Sequence, residues 1–208
     1  MGHTLLGGGS PLNKFREIEQ RLASANGFQK FYIDAEHGND ENDGKSDINA
    51  FRSFSALADV CETHAKVSVY LAGNADCVVS ESMLVSGVDL NISNVDGSQA
   101  RLVFDGGIIE APNSLINIQS PTVMRGSVHA VRTRALGMVI IANSVLTIEA
   151  DSTAQAVVHS NYGSNQVFLH GHSFVSNAGN LPIVKNGLDA HTYVTSVSTT
   201  LSNMTEIL

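Results

Sequence analysis

Oxygen-bearing side chains crowd the stretch Gly38, Asn39, Asp40, Glu41, Asn42, Asp43 and Gly44, and the first chemistry to test there is calcium binding. Counted from Asn39 as an EF-hand loop, Glu41 and Asp43 take the third and fifth positions and Gly44 the sixth, but the twelfth is Ala50, where a bidentate Glu is required. Turn chemistry is the preferred reading, because Asn, Asp and Gly accept left-handed backbone and bond their own main chain. Acid catalysis on a glycan needs two carboxyl groups roughly 5 to 10 Å apart. Glu149 and Asp151 share one strand face by their i, i+2 spacing, and Asp105 with Glu110 or Asp89 could approach across the fold. None has a local motif, so solvated or turn roles are preferred.

His170 and His172 flank Gly171, which on a strand sets their rings about 6 to 7 Å apart on one face. In a threefold assembly this His-x-His unit could offer six imidazoles to one axial metal ion. That demands a strand on the symmetry axis, and surface histidines are the preferred reading. Cys61 and Cys77 are too few for a disulfide framework and lack metal spacing, so buried thiols are expected. Arg125, Arg132 and Arg134 come nearest to a basic patch; Arg132 and Arg134 share a strand face, and a solvated face or local ion pair is expected of them. Asn91-Ile92-Ser93 and Asn203-Met204-Thr205 match a glycosylation acceptor that means little without secretion. No residue is assigned as catalytic, cofactor-binding or metal-ligating, and no cofactor is implied.

A formal charge of −8 argues against nucleic acid, whose phosphates demand clustered Lys and Arg. Trp is absent and only four Tyr occur, so any glycan site is expected to rest mainly on polar contacts. No apolar run is long enough to span a bilayer, and Met1 to Pro11 lacks the basic start and apolar centre of a signal peptide, which predicts a protein made in a cytoplasm without membrane insertion.

The elements that position these residues are mostly short strands. After a Gly-rich arm, Phe15, Ile18, Leu22 and Ala25 form one helical stripe between an Asn13 cap and an Asn26-Gly27 stop. Phe31-Tyr32-Ile33 reads as a strand leading into the Asn/Asp/Gly loop. A helix follows from Ser53 to about His64, with Phe54, Leu57, Ala58 and Cys61 buried and Ser53 as cap. From Val67 onward apolar strands alternate with Gly, Asn and Asp turns, three strands filling a coil of about 20 to 25 residues. The same punctuation suits a β-sandwich or jelly roll, and the Asn/Asp/Gly loop and capping helix decide for the β-helix. Alternate side chains including Val139, Ile141, Val145, Ile148, Val157, Phe168 and Val175 are expected to stack inside one column. The division predicted is 1–27 as arm and helix for attachment or capping, 28–66 as entry strand, loop and capping helix, and 67–208 as the β-helix with a closing segment from Asp189.

Ile33, Asp34, Gly38, Asn39, Asp40, Asn42, Asp43 and Gly44, followed by Phe51 and Phe54, resemble the opening of the right-handed parallel β-helix proteins of the pectate-lyase-like superfamily, which includes many bacteriophage tail fibres and tailspikes. The resemblance implies an all-β, single-stranded right-handed parallel β-helix with short N-terminal helices. A lyase of that superfamily would pair acidic calcium ligands with a basic proton abstractor. Past Lys66 the only lysine is Lys185, and the arginines show no carboxylate cluster in sequence, which favours a non-catalytic protein. The expectation is a homotrimeric attachment protein of a virion tail or other appendage, made in the host cytoplasm, contacting other virion proteins through its N-terminal region and a bacterial surface glycan or protein receptor. A polysaccharide-degrading hydrolase or lyase and a structural spacer are the alternatives.

Overall fold

Strands this short, rich in Val, Ile and Leu and each ended by a turn residue, cannot bury an apolar face alone, and stacking them in parallel coils gives each inward side chain a neighbour above and below. The computed structural model describes residues 27–142, 145–149, 152, 154–170, 174–177, 184–196 and 200–202, and there the chain winds as an all-parallel β-solenoid. A first face carries β1 (Gln29–Ile33), β2 (Lys66–Leu71), β5 (Asp89–Asn94), β8 (Leu115–Ile118) and β11 (Met138–Ala142). A second carries β3 (Cys77–Val79), β6 (Leu102–Phe104), β9 (Thr122–Met124), β12 (Val145–Ile148), β14 (Phe174–Asn177) and β16 (Thr200–Ser202). A third carries β4 (Met83–Leu84), β7 (Ile109–Pro112) and β10 (Val131–Arg134). The long strands β13 (Val158–His170) and β15 (Val184–Ser196) run through both the third and first faces, so those faces form one sheet. Neighbouring coils place residues 22 apart together at Glu110 and Arg132, and 26 apart at Asn91 and Asn117.

Inward columns follow this register. Val67, Leu90, Ile116, Val139 and Val167 align on the first face, and Val79, Phe104, Met124 and Ile148 on the second, all nearly free of solvent contact. Val139, Ile141, Ile148 and Val157 lie in the core as the strand pattern predicts. Val145 and Phe168 do not: Val145 is 45% exposed and Phe168 half-buried, with Leu146 and Val167 taking the inside. Val145 stands three residues before Ile148 and so faces the opposite side of a regular strand, the alternation Leu146-Thr147-Ile148 setting the inward face. The run VFL contains adjacent apolar residues and carries no alternation from which to read its face, where a one-residue slip inverts every side chain. The side chain of Val175 lies outside the described residues. β15 and β16 hold Asp189–Ser196 and Thr200–Ser202 in coil register. Residues 203–208 and the helix expected over Asn13–Asn26 lie outside the described residues.

The helix among the described residues is α1 (Phe54–Thr63), with Phe54, Leu57 and Cys61 buried. Ser53 occupies the N-cap position but makes no side-chain cap bond. Its hydroxyl donates to Asp40 Oδ2 at 2.7 Å, while the Arg52 and Ser53 amides donate to Asp40 Oδ1, both at 2.8 Å. The rest of the loop bonds itself in the way its composition predicts. The Glu36 and His37 amides donate to Asp34, Glu41 to Asn39 and Lys45 to Asp43, and Asn42 Nδ2 donates to the Ala50 carbonyl. Burial alone would raise the Asp34 and Asp40 pKa values, but these hydrogen bonds outweigh it and hold both below the ordinary carboxylate value.

This loop also closes the outer edge of β1. The Tyr32 amide donates to the Gly44 carbonyl, the Phe51 amide to Tyr32, and the Asp34 amide to Phe51, a ladder on the side away from β2. Gly44 has φ +65° and a side chain there would enter the Phe51 ring, while one at Gly38 would meet the Phe51 carbonyl. Gly44→Ala is expected to lower stability by at least about 1 to 2 kcal/mol in urea unfolding, from left-handed backbone alone. A paired test fixes the facing of the fourth coil: Leu146→Asp should prevent folding, whereas Val145→Asp should change stability by no more than about 0.5 kcal/mol. Equal tolerance of both would contradict the register.

Candidate functional site

Outward residues on a parallel solenoid stack as strictly as inward ones, and on the first face this gathers aromatic and amide groups. Tyr32 of β1 lies in register with Tyr70 of β2, their rings stacked at 5.4 Å and 27°. Next in that column is Ser93, whose side chain is too short to cover the Tyr70 ring. The neighbouring outward column runs Lys30, Ser68, Asn91, Asn117, Ile140 and Phe168. Asn117 Nδ2 donates to Asn91 Oδ1 at 2.9 Å, and the Asn117 Oδ1 acceptor is buried without a partner among the described residues. Lys30 Nζ lies 6.0 Å from the Tyr70 ring centroid. An open ring face beside amide donors and acceptors and one cation suits a polar ligand with apolar C–H faces, such as a saccharide. The four tyrosines are few, but two of them meet here, which composition could not reveal.

On the second face Arg101 grips Asp76 with two bonds of 2.7 Å, Nε to Oδ1 and Nη2 to Oδ2. Arg125 reaches Glu149 at 3.2 Å, Asp76 at 3.8 Å and Asp105 at 3.9 Å. A carboxylate cluster around the arginines is therefore present, and it was not visible in sequence because its contacts span 20, 24, 25 and 49 residues, from Arg125 to Asp105, Arg125 to Glu149, Arg101 to Asp76 and Arg125 to Asp76. Its arrangement neutralises charge: the Arg101 bonds hold Asp76 below its ordinary value, against burial, where a glycosidase acid must stay protonated. Asp105, Glu110 and Asp89 are not brought together. Asp105 faces Arg125, Glu110 bonds Arg132 at 2.6 Å on the third face, and Asp89 registers with Lys66 on the first.

The third face holds a histidine pair that the sequence analysis missed. The His129 and His159 rings lie 4.5 Å apart, with His129 3% exposed. Burial, then the nearby His159, Arg132 and Lys185 charges, push the His129 pKa down to about 4 against the opposing Ala156 carbonyl. His159 is also lowered, by burial first and then by Arg132 and Lys185, against Glu110. No local motif links these residues; the only usable signal is that His159 registers with Arg132 across the coil. Arg132 and Arg134 do share the outward side of β10, while Arg125 belongs to the second face.

Both cysteines are buried free thiols, Cys61 pushed up to about 12 by burial and Cys77 to about 11, by burial first. His170 ends β13 in register with Ala142, its side chain outside the described residues together with Asp151, His172 and Asn203. Asn91 belongs to the amide ladder. No helix among the described residues is long and apolar enough to cross a membrane. No family model, curated protein or solved structure matches this chain.

The histidine pair makes stability depend on pH. The unfolded chain takes up these protons near pH 6.5, while folded His129 resists protonation until about pH 4, so stability is greatest above that window and falls as pH drops through it. His129→Phe removes one such proton, and the slope of unfolding free energy against pH between 6.5 and 4, read from urea melts, should flatten. An unchanged slope would show that His129 does not contribute.

Proposed function

We propose that this chain is a non-catalytic attachment protein of a virion appendage, of the tail-fibre or tailspike kind, that binds a bacterial surface glycan along its first face. The observation that carries the reading is the Tyr32 and Tyr70 stack set in register beside the Asn91 and Asn117 ladder. A stacked ring on a rigid sheet offers apolar contact area without loss of side-chain freedom on binding, and the amides supply orientation. The protein is a homotrimer in this reading, since several copies engaging together raise avidity and closed symmetry favours small rings. Residues 1–27 join it to other virion proteins, and it is made in the host cytoplasm before release in the particle. The resemblance of the Ile33 to Gly44 loop to tail-fibre and tailspike openings supports the virion assignment. Asp76, Asp105 and Glu149 favour a polysaccharide-degrading enzyme as second reading, but each faces a guanidinium.

The full chain should bind intact host cells and a subset of capsular or O-chain polysaccharides in surface-plasmon measurements, with no release of reducing ends or unsaturated products on long incubation. Tyr70→Ala should weaken that binding about tenfold, the 1.4 kcal/mol equivalent lying within the range of aromatic stacking. Unchanged affinity in Tyr70→Ala would remove the first face from the site, and steady product release would replace binder by enzyme. Light scattering at micromolar concentration should report the mass of three chains; a monomer that still binds cells would refute the trimer.

A further inference from the structure

A second polar surface lies on the third face, where the first-face reading has no role for it. Its outward column runs Leu84, Glu110, Arg132, His159 and Lys185, one residue per coil. Also bearing on it are His129, whose ring lies 4.5 Å from that of His159 and tilted 40° to it, and Gln155, whose Oε1 accepts from Lys185 Nζ at 2.7 Å. The column thus carries two fixed cations and one titratable imidazole against a single carboxylate, in a chain of net charge −8. Glu110 takes only Nη1 of Arg132. Arg132 Nε and His159 Nδ1 are buried with no hydrogen-bond partner among the described residues. A buried donor left unmade costs about 1 to 3 kcal/mol; Arg132 Nε is such a donor, and His159 Nδ1 on the adjacent coil becomes one when the ring is protonated, so that, beside a lysine bonded to a neutral amide, they mark a place suited to acceptor oxygens.

We propose that Arg132, His159 and Lys185 form a binding site for an oxyanion, the sulfate, phosphate or carboxylate group of an anionic ligand, with His129 behind His159 as its proton-linked support. Guanidinium and ammonium supply charge-assisted bonds from two coils, and the imidazole between them becomes a second donor when protonated. Burial is the largest cause of the lowered histidine pKa values, and the Arg132 and Lys185 charges add to it; an anion among them offsets the part due to those charges. Binding is therefore accompanied by proton uptake and strengthens as pH falls towards 5.5.

Sulfate is the first probe, because it does not titrate in this range. In the full chain, imidazole NMR signals of His129 and His159 should shift saturably with sodium sulfate but not with sodium chloride at equal ionic strength. Their titration midpoints should rise, and apparent sulfate affinity should increase severalfold from pH 7 to pH 5.5. Lys185→Gln, at an exposed position, and Arg132→Gln should each abolish the saturable shift, while Arg101→Gln on the second face should leave it unchanged. A shift matched by chloride, or one surviving in Lys185→Gln, would overturn the site, and would leave the Tyr70 test of the first face standing. Retention on dextran sulfate but not dextran would assign the anion to a polymer, whereas saturable sulfate binding without such retention would assign it to a free ion.

Discussion

Parallel, in-register pairing between coils governs every other property of this chain. Each strand residue sits about 4.8 Å from its counterpart one coil away, so columns, not single positions, are the units on which packing acts. An inward column such as Val67, Leu90, Ile116, Val139 and Val167 must be apolar throughout, since a polar member would lose water without gaining a partner. Outward columns bring together groups far apart in sequence. The tyrosine stack, the asparagine ladder and the Arg125 clasp are one geometric consequence expressed with three residue chemistries.

A stack of coils has an open edge where it starts, and unpaired strand edges invite pairing with other chains. Here the Asn/Asp/Gly loop meets that need by returning Gly44 and Phe51 to the outer side of β1. Several of its polar side chains serve the same end: Asp34, Asn39 and Asp43 accept from amides of the loop itself, Asn42 donates to the Ala50 carbonyl, and Asp40 ties the loop to the start of α1. Phe31 stacks on Phe51 at 6.0 Å, so the closure is also packed. The density of oxygens that invites a calcium reading is accounted for by backbone donors.

This explains why some features were legible in sequence and others were not. The turns of the loop are local, Asp34, Asn39 and Asp43 each accepting from an amide two or three residues on, and α1 is local by its apolar spacing, so residue types name these features directly. Strand length and punctuation suit a β-sandwich or jelly roll as well as a solenoid, and it was the Asn/Asp/Gly loop with its following helix that made the solenoid class legible. Strand facing is legible where apolar and polar residues alternate, as in Leu146-Thr147-Ile148, which puts Val145 outside, and is not legible at Phe168, whose neighbours are both apolar. The site was least legible: Tyr32 with Tyr70, Asn91 with Asn117 and His129 with His159 depend on coil spacings that vary from turn to turn, from 20 residues between Leu102 and Thr122 to 38 between Tyr32 and Tyr70. A change of one residue in a corner reassigns every cross-coil pair.

The second face shows what a satisfied surface of this kind looks like. Val103 and Val123 hold outward register positions yet are 0% and 3% exposed. Arg101 and Arg125 stand two residues from them, on the same side by strand periodicity, and both guanidiniums end on carboxylates. There the guanidinium heads are matched, leaving little for a ligand to gain. The first and third faces differ in kind, because the Asn117 carbonyl, Arg132 Nε and His159 Nδ1 remain unmatched among the described residues. A rigid backbone that cannot rearrange to satisfy these groups holds them ready, and ligands that complete their hydrogen bonds lose little ordering entropy in doing so. In a fold whose columns are fixed by the core, the proposed binding surfaces are those outward columns where the chain's own residues leave hydrogen bonds unmade.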